Sequence, residues 1–178
     1  MVYLYGAPDN NKNMRFIGMI LSIAAFALTV VAICAIGIIK DPETDAIQTL
    51  ISFGLNDSSG MFILVFSILT IVIGVASIII PMFSVVSGVC AILTGALPMI
   101  STGDLPQCVV NSGFYTILAL GIAAIVLGVA ASFVMNKYVR SNVQNVTMFQ
   151  CSLFTWMGIR VPADRMAQNP YQQQPPYY

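Results

Sequence analysis

Residues 61–100 read MFILVFSILTIVIGVASIIIPMFSVVSGVCAILTGALPMI, a stretch of forty residues without a single charge. One helix of this length would measure about 60 Å, roughly twice the thickness of a bilayer core. Pro81 lies near the centre, where proline removes a backbone donor and clashes with the preceding turn. We therefore predict two helical spans, residues 61–80 and 82–100, joined by a tight turn. A re-entrant pair that does not cross the bilayer is the alternative.

Two further uncharged stretches are long enough to span a bilayer. Residues 16–39 precede the central pair, and residues 114–135 follow it. Each matches the roughly 20 apolar residues that a helix needs to cross the hydrocarbon core. The first stretch is too long for the apolar region of a typical signal peptide, and no small-residue cleavage site follows it. The sequence therefore predicts an all-α integral membrane protein, a bundle of four transmembrane helices.

The composition of the chain agrees with this class. Of its 178 residues, 58% are hydrophobic and 8% are charged, whereas soluble domains carry about 25% charged residues. The formal net charge is zero, without the clustered cations that nucleic acid requires, so we expect no nucleic-acid partner. The partners that this composition implies are the lipid bilayer and other membrane proteins, further copies of the chain included.

The charges are divided between the two sides of the predicted bundle. Cations lie before the first span, in residues 1–15, and after the last span, from residue 136 onward, and only Lys40 lies between spans. Five of the seven acids lie in the two polar loops, residues 40–60 and 101–113. Because cytoplasmic segments are enriched in lysine and arginine, we predict a multi-pass protein of the cell membrane with both termini in the cytoplasm.

The first polar loop contains a helix signal. Asp41 can cap a helix, and Pro42 suits its first position. Apolar residues follow at helical spacing: Ile47, Leu50 and Ile51. We predict a short helix over residues 42–53, ended by Gly54, on the outer membrane face, with a plain solvated loop as the alternative. Residues 56–58 also match the glycosylation sequon, a triplet that recurs by chance.

The chain has few residues of the types and spacings that catalysis requires. It contains no histidine, which removes histidine-dependent triads, histidine-ligated metals and the commonest proton shuttle. The four cysteines fall in separate segments, with no CxxC pair: Cys34, Cys90, Cys108 and Cys151. A disulfide framework or a zinc site is therefore not expected. We expect no catalytic residue, no cofactor, no metal and no enzymatic activity.

The predicted spans carry stripes of small residues instead of charges. The stripes comprise Gly18 and Ser22; Ser67, Thr70, Gly74 and Ser77; Ser84, Gly88, Ala91 and Gly95; and Ala124 and Gly128. Small residues allow helices to approach closely in lipid. We predict that six of these small residues lie at helix–helix contacts: Ser67, Gly74, Ser84, Gly88, Gly95 and Gly128. An intramolecular seam is the main interpretation, and a subunit interface or a hydroxyl-lined pore are the alternatives.

After the last span the chain becomes amphipathic and then polar. Within residues 136–160, apolar side chains recur at three- and four-residue spacing: Val143, Val146, Phe149, Leu153 and Met157. This pattern predicts a juxtamembrane helix in the inner interface, with packing under the bundle as an equal alternative. Cys151 would suit palmitoylation in a eukaryote, although a buried thiol is the simpler interpretation.

Residues 161–178, ending in NPYQQQPPYY, have too few aliphatic residues to form a core and are predicted to be disordered.

The tail also contains a candidate partner-binding motif. Pro175, Pro176 and Tyr178 match the PPxY pattern that WW domains read as a polyproline II helix. Together with the charge-free spans, this favours a non-enzymatic scaffold that organises partners. The alternative is a small channel or transporter subunit with Ser/Thr-lined helix faces, although spans without charges disfavour ion-coupled transport.

The order of spans and the predicted cytoplasmic ends resemble small tetraspan proteins such as the claudin and MARVEL groups. Residues 40–60 lack the tryptophan and paired cysteines of a claudin-type outer loop. The Gly/Ala-rich stretch GIAAIVLGVAAS, residues 121–132, and the tail NPYQQQPPYY are more similar to small bacterial multi-span membrane proteins of the DUF4190 group. That group has no established activity, so the resemblance implies a fold and no reaction.

Overall fold

The structure, a computed structural model, describes residues 12–40, 45–56, 60–100, 109–140 and 146–158. In chain order the elements are α1 (Lys12–Cys34), β1 (Gly37–Lys40), β2 (Ile47–Thr49), α2 (Leu50–Asn56), α3 (Met61–Ile79), α4 (Phe83–Ile100), α5 (Asn111–Arg140) and α6 (Met148–Met157). Helices α1, α3, α4 and α5 are each long and apolar enough to cross a membrane. The prediction of four such helices is therefore confirmed.

The turn between α3 and α4 lies at Pro81. Helix α3 ends at Ile79, and Ile80 adopts an extended conformation with φ −118° and ψ 94°. Turn hydrogen bonds lead into the next helix, from the backbone N–H of Phe83 to the carbonyl of Ile80 at 2.9 Å and from that of Ser84 to the carbonyl of Pro81 at 3.0 Å. Since proline has no N–H to continue α3, the chain reverses here and α4 begins at Phe83.

The four long helices form one bundle in which α1 and α4 each pack against both α3 and α5. The inward faces bury small residues, whereas the outward faces carry large apolar side chains such as Phe62, Leu93 and Phe133, all more than half exposed. A soluble bundle has the opposite arrangement, with large apolar residues inside. Small residues inside and large ones outside are typical of helices that associate in lipid.

One end of the bundle, here called the hairpin end, is closed by a small antiparallel sheet. Strand β1 pairs with β2, with Gly37 opposite Thr49 and Lys40 opposite Ile47. The segment before α5 adds to this sheet, because Ile39 bridges Val109 and the backbone N–H of Val110 donates to the carbonyl of Ile38 at 2.7 Å. The larger apolar core lies beneath it: Ala32, Ile33, Ile38, Ile39, Leu50, Phe53, Ile63, Ala91 and Ile117.

The predicted helix over residues 42–53 is wrong in its first half. Ile47–Thr49 forms strand β2, because it pairs with β1, and the helix begins only at Leu50. Thr49 caps it, since its Oγ1 accepts from the backbone N–H of Ser52 at 3.2 Å. Gly54 does not end the helix, which continues to Asn56. The proposed cap Asp41 and the adjoining Pro42 lie outside the described residues.

Two predicted span boundaries also differ from the structure. The span over residues 16–39 is too long at its end, because α1 stops at Cys34 and the following Ile-rich GIIK segment pairs as strand β1. The span over residues 114–135 is too short, because α5 starts at Asn111 and continues to Arg140. The beginning of the predicted amphipathic segment, residues 136–160, is therefore the last turn of α5.

Candidate functional site: the small-residue seam and the α6 anchor

Helices α4 and α5 approach each other closely at their glycines. A Cβ atom built on Gly88 would lie 2.8 Å from the backbone oxygen of Gly121, and one built on Gly128 would overlap the Oγ of Ser84. A side chain larger than hydrogen is therefore excluded at Gly88 and Gly128 unless the helices separate. Ser84 Oγ is buried and has no hydrogen-bond partner among the described residues, which makes this contact a steric one.

Hydroxyl groups of buried Ser and Thr residues join α3 to α4. Ser87 Oγ donates to the backbone oxygen of Thr70 at 3.2 Å, and the hydroxyl oxygens of Thr70 and Thr94 lie 3.5 Å apart. Gly74 provides the space for this contact, since a Cβ there would lie 3.2 Å from Ser87 Oγ. The three hydroxyl side chains are completely buried. Each of these three hydroxyl groups therefore donates to a backbone carbonyl of the protein.

All six predicted helix-packing residues are buried: Ser67, Gly74, Ser84, Gly88, Gly95 and Gly128. Ser67 donates to its own helix at Ile63, and Gly95 faces the Ile117 side chain of α5. Sequence reasoning omitted Gly121 and Ser87 from this set. Gly121 precedes Gly128 by two helical turns, so the spacing of small residues in α5 was the signal that would have identified it.

Helix α6 lies across the other end of the bundle, here called the α6 end, where it contacts α1, α3 and α5. It begins with a capping box, in which Thr147 Oγ1 accepts from the backbone N–H of Gln150 and the Gln150 side chain accepts from that of Thr147. Its buried residues are small: Cys151, Ser152 and Thr155. The segment thus packs under the bundle, but through these small side chains and not through the predicted apolar residues Phe149 and Met157, which are exposed.

The indole of Trp156 fastens α6 to α3. Its Nε1 donates to the backbone oxygen of Ile78 at 2.9 Å. Ile78 is the penultimate residue of α3, and carbonyls in the last turn of a helix lack an intrahelical donor. The break at Pro81 therefore leaves an acceptor that the chain's only tryptophan satisfies.

The guanidinium of Arg15 fastens α6 to α1. Its Nε donates to the backbone oxygen of Thr155 at 2.7 Å, and its Nη2 donates to that of Trp156 at 2.8 Å. Both carbonyls lie in the last turn of α6, where a cation is also favoured by the helix dipole. The chain leaves α6 through Gly158, whose φ of 78° favours glycine and whose Cα faces the same guanidinium.

The thiol of Cys151 is part of the contact between α6 and α5. The side chain is 2% exposed, and its Sγ donates to Asn136 Oδ1 at 3.6 Å. Burial raises the pKa of the Cys151 thiol, which keeps it protonated and weakly nucleophilic. This is the buried thiol that the sequence suggested, and it disfavours acylation at Cys151 in the packed state.

A small cleft separates α6 from α5 and the α3–α4 turn. It is lined by Pro81, Met82, Ser132, Asn136 and Met148, among others, and encloses about 10 Å³. That volume holds roughly one water molecule, which is too little for an organic ligand. Across the ranges that the structure covers, no group of three His, Cys, Asp or Glu side chains could hold a metal ion.

The tail motif Pro175, Pro176 and Tyr178 and the sequon side chains of residues 56–58 lie outside the described residues. The anchor contacts were missed because the bonds of Arg15 join positions 140 and 141 residues apart and the bond of Trp156 joins positions 78 residues apart, beyond any local periodicity. Arg15, the cation directly before the uncharged run of residues 16–39, was the available signal.

Comparison with known proteins identifies no relative of this chain. No protein-family profile matches the chain, and no curated protein or solved structure matches it. The resemblance to tetraspan and DUF4190-type proteins therefore stays a prediction, and function must be argued from the seam and the α6 anchor.

Proposed function

We propose that this chain is a multi-pass protein of the cell membrane that performs no catalysis and organises partner proteins at the inner leaflet. The four long helices support this proposal, because their only charged residues lie in the first turns of α1 and the last turn of α5. Transporters that couple to ions place charges within their spans. A bundle without them is suited to a structural role.

The orientation follows from the cations at the α6 end. Arg15, Lys137 and Arg140 lie there, and Arg160 and Arg165 follow in the sequence. By the positive-inside rule this end faces the cytoplasm and the hairpin end faces outward. The cytoplasmic location of α6 and of the tail is part of the proposal.

The observation that carries the scaffold function is the anchoring of α6. Three hydrogen bonds, from Trp156 to α3 and from Arg15 on α1, hold its last turn in place. Residues 159–178 follow in the sequence, so partners that bind them are tethered to the α6 end of the bundle. The sequence PPYY at residues 175–178 suits a partner module that reads a polyproline II helix.

The direct test compares two variants of the full chain in native membranes. One lacks residues 161–178, and the other keeps them but carries Pro175→Ala, Pro176→Ala and Tyr178→Ala. Both should insert normally, and both should lose the same subset of crosslinked partners, because the spans are untouched. An unchanged partner list for both variants would contradict the proposal that the tail recruits partners.

The channel alternative is tested by reconstitution. It requires the hydroxyl groups of the seam to line a pore, whereas Thr70, Ser87 and Thr94 are buried and bonded to protein atoms. This supports packing as their role. We expect no flux of ions, water or small solutes through liposomes that contain the purified chain, and measurable flux would favour the channel.

A further inference from the structure

Helix α6 presents two chemically different faces. The face toward the bundle carries the small residues Cys151, Ser152 and Thr155, all buried. The opposite side carries Phe149, Leu153 and Met157, spaced four residues apart and here called the apolar edge of α6. Phe149 and Met157 are each 50% exposed, and Leu153 is partly exposed. Large apolar residues thus remain uncovered after α6 has packed on the bundle.

The start of α6 lies beside the outer surface of the bundle. Met148, at the start of α6, lines the same cleft as Met82 at the α3–α4 turn. Met82 and Phe83 are exposed in turn, and they begin the outward apolar face of α4, which continues through Val86, Val89 and Leu93. Lipid or water that covers the outer face of α4 therefore also contacts the start of α6.

The charges around α6 suit a lipid headgroup region. Lys137 and Arg140, in the last turn of α5, are both exposed. In the part of the chain that the structure covers, no carboxylate lies at the α6 end, since Asp45 of the hairpin end is the only acid described. Phosphate groups of lipids are the anions that such cations meet at a membrane surface.

We infer that the apolar edge of α6 lies in the boundary between headgroups and acyl chains, so that α6 is wedged between the bundle and the bilayer. This inference rests on the proposed function, since it requires the four long helices to cross a bilayer. It adds a second partner for α6 beyond the bundle: lipid. An interfacial helix of this kind places its apolar face about 5–10 Å into the boundary. The tail then leaves from the membrane surface itself.

Tryptophan fluorescence tests this placement, because the chain has a single tryptophan that can be moved. Full-length variants Trp156→Phe/Phe149→Trp and Trp156→Phe/Met157→Trp are placed in lipid nanodiscs. Emission is measured with acyl chains brominated near the glycerol or near the terminal methyl, and with acrylamide in the water. The variant Trp156→Phe/Val72→Trp is the control, since Val72 is an outward residue of α3 that is 59% exposed.

We expect the tryptophans at positions 149 and 157 to be quenched more by the shallow bromines than by the deep ones, and to be protected from acrylamide. Quenching by acrylamide without quenching by brominated lipid would overturn the inference, because the edge would then face water. Protection from both quenchers would also overturn it, because protein would then cover the edge.

The control separates this inference from the proposed function. If the tryptophan at position 72 is quenched by brominated lipid and those at positions 149 and 157 are not, only the lipid contact of α6 is wrong. If the tryptophan at position 72 is not quenched either, the proposal that the bundle crosses a bilayer is wrong. Because Trp156→Phe removes an anchor bond, the unaltered chain is measured too, and Trp156, beside the edge, should show the same shallow quenching.

Discussion

The indole of Trp156 donates a hydrogen bond to the backbone oxygen of Ile78, 2.9 Å away and 78 positions earlier in the chain. The bond connects the last turn of α6 with the last turn of α3, where the break at Pro81 leaves carbonyls without a helical donor. The C-terminal end of α3 thus supplies the acceptor that holds the last turn of α6. The stability of α6 on the bundle should depend on this pair.

Replacing Trp156 with phenylalanine should therefore loosen α6 while keeping most of the apolar contact. Loss of one hydrogen bond costs about 1 kcal/mol, so we expect a decrease of that size in the free energy of unfolding in mixed micelles. Met157→Leu, a change at the exposed neighbour, is the matched control. Equal stability of Trp156→Phe and the unaltered chain would mean that the bond contributes nothing.

Replacing Arg15 with lysine should weaken the same anchor without changing charge. The guanidinium donates to Thr155 and to Trp156 from two nitrogens of one planar group, and an ammonium cannot reproduce that fork. We expect a loss of roughly 1.5–3 kcal/mol, the range for hydrogen bonds to charged groups. Protease cleavage after residue 158 should become faster at the same time.

Lys137→Gln is the control for the arginine variant, because Lys137 is an exposed cation at the same end. It should leave stability close to that of the unaltered chain. If Arg15→Lys and Lys137→Gln behave alike, the hydrogen bonds of Arg15 do not hold α6.

Gly128→Ala should separate α4 from α5. The new methyl group would overlap the Oγ of Ser84 and lie 2.9 Å from the backbone oxygen of Pro81, and overpacking of this kind costs about 1–3 kcal/mol. Thermal unfolding in detergent measures the loss. Val129→Ala, at the adjacent outward position, should have a much smaller effect, and Ser84→Gly should restore part of the stability of Gly128→Ala. If Ser84→Gly does not restore stability to Gly128→Ala, the strain does not arise from the contact with Ser84.

The ion pair of the hairpin should respond to pH. Lys40 Nζ lies 2.8 Å from Asp45 Oδ1, and the hydrogen bond and charge of Asp45 raise the pKa of Lys40 above its ordinary value of 10.5. Because the folded-state pKa is the higher one, the stabilisation is complete below the ordinary value and is lost as pH rises through the folded-state value. NMR titration of Lys40 should show the raised pKa, and Asp45→Asn should return it to the ordinary value. An identical titration in Asp45→Asn would exclude the pair.

The sequence predicts the helices of this fold better than its contacts. Uncharged stretches and Pro81 identify four long helices and the tight turn, because length, hydropathy and the missing proline N–H are local properties. The hairpin escaped prediction, since Gly37–Lys40 continues the apolar run of α1 and its pairing with Ile47–Thr49 is decided by residues distant in sequence. β-Branched isoleucines around Gly37 were the local hint of a strand.

For the seam and the anchor as well, local features were predictable from the sequence and contacts between distant residues were not. Small-residue spacing identified Gly88 and Gly128 as packing positions, but it does not say which helix each one faces. The contact of Gly88 with Gly121 follows from how α4 and α5 cross. The anchor depends on Arg15 and Trp156, single residues without any repeat, so no periodicity could have linked them.

The most direct test of the central claim is a topology map made with paired reporters on the full chain. A green fluorescent protein that folds in the cytoplasm, or an alkaline phosphatase that is active only outside, is fused at either end or inserted within residues 101–108. We expect fluorescence and no phosphatase activity at both ends, and phosphatase activity without fluorescence at the inserted position. Phosphatase activity at either end would contradict an even number of spans with the α6 end in the cytoplasm.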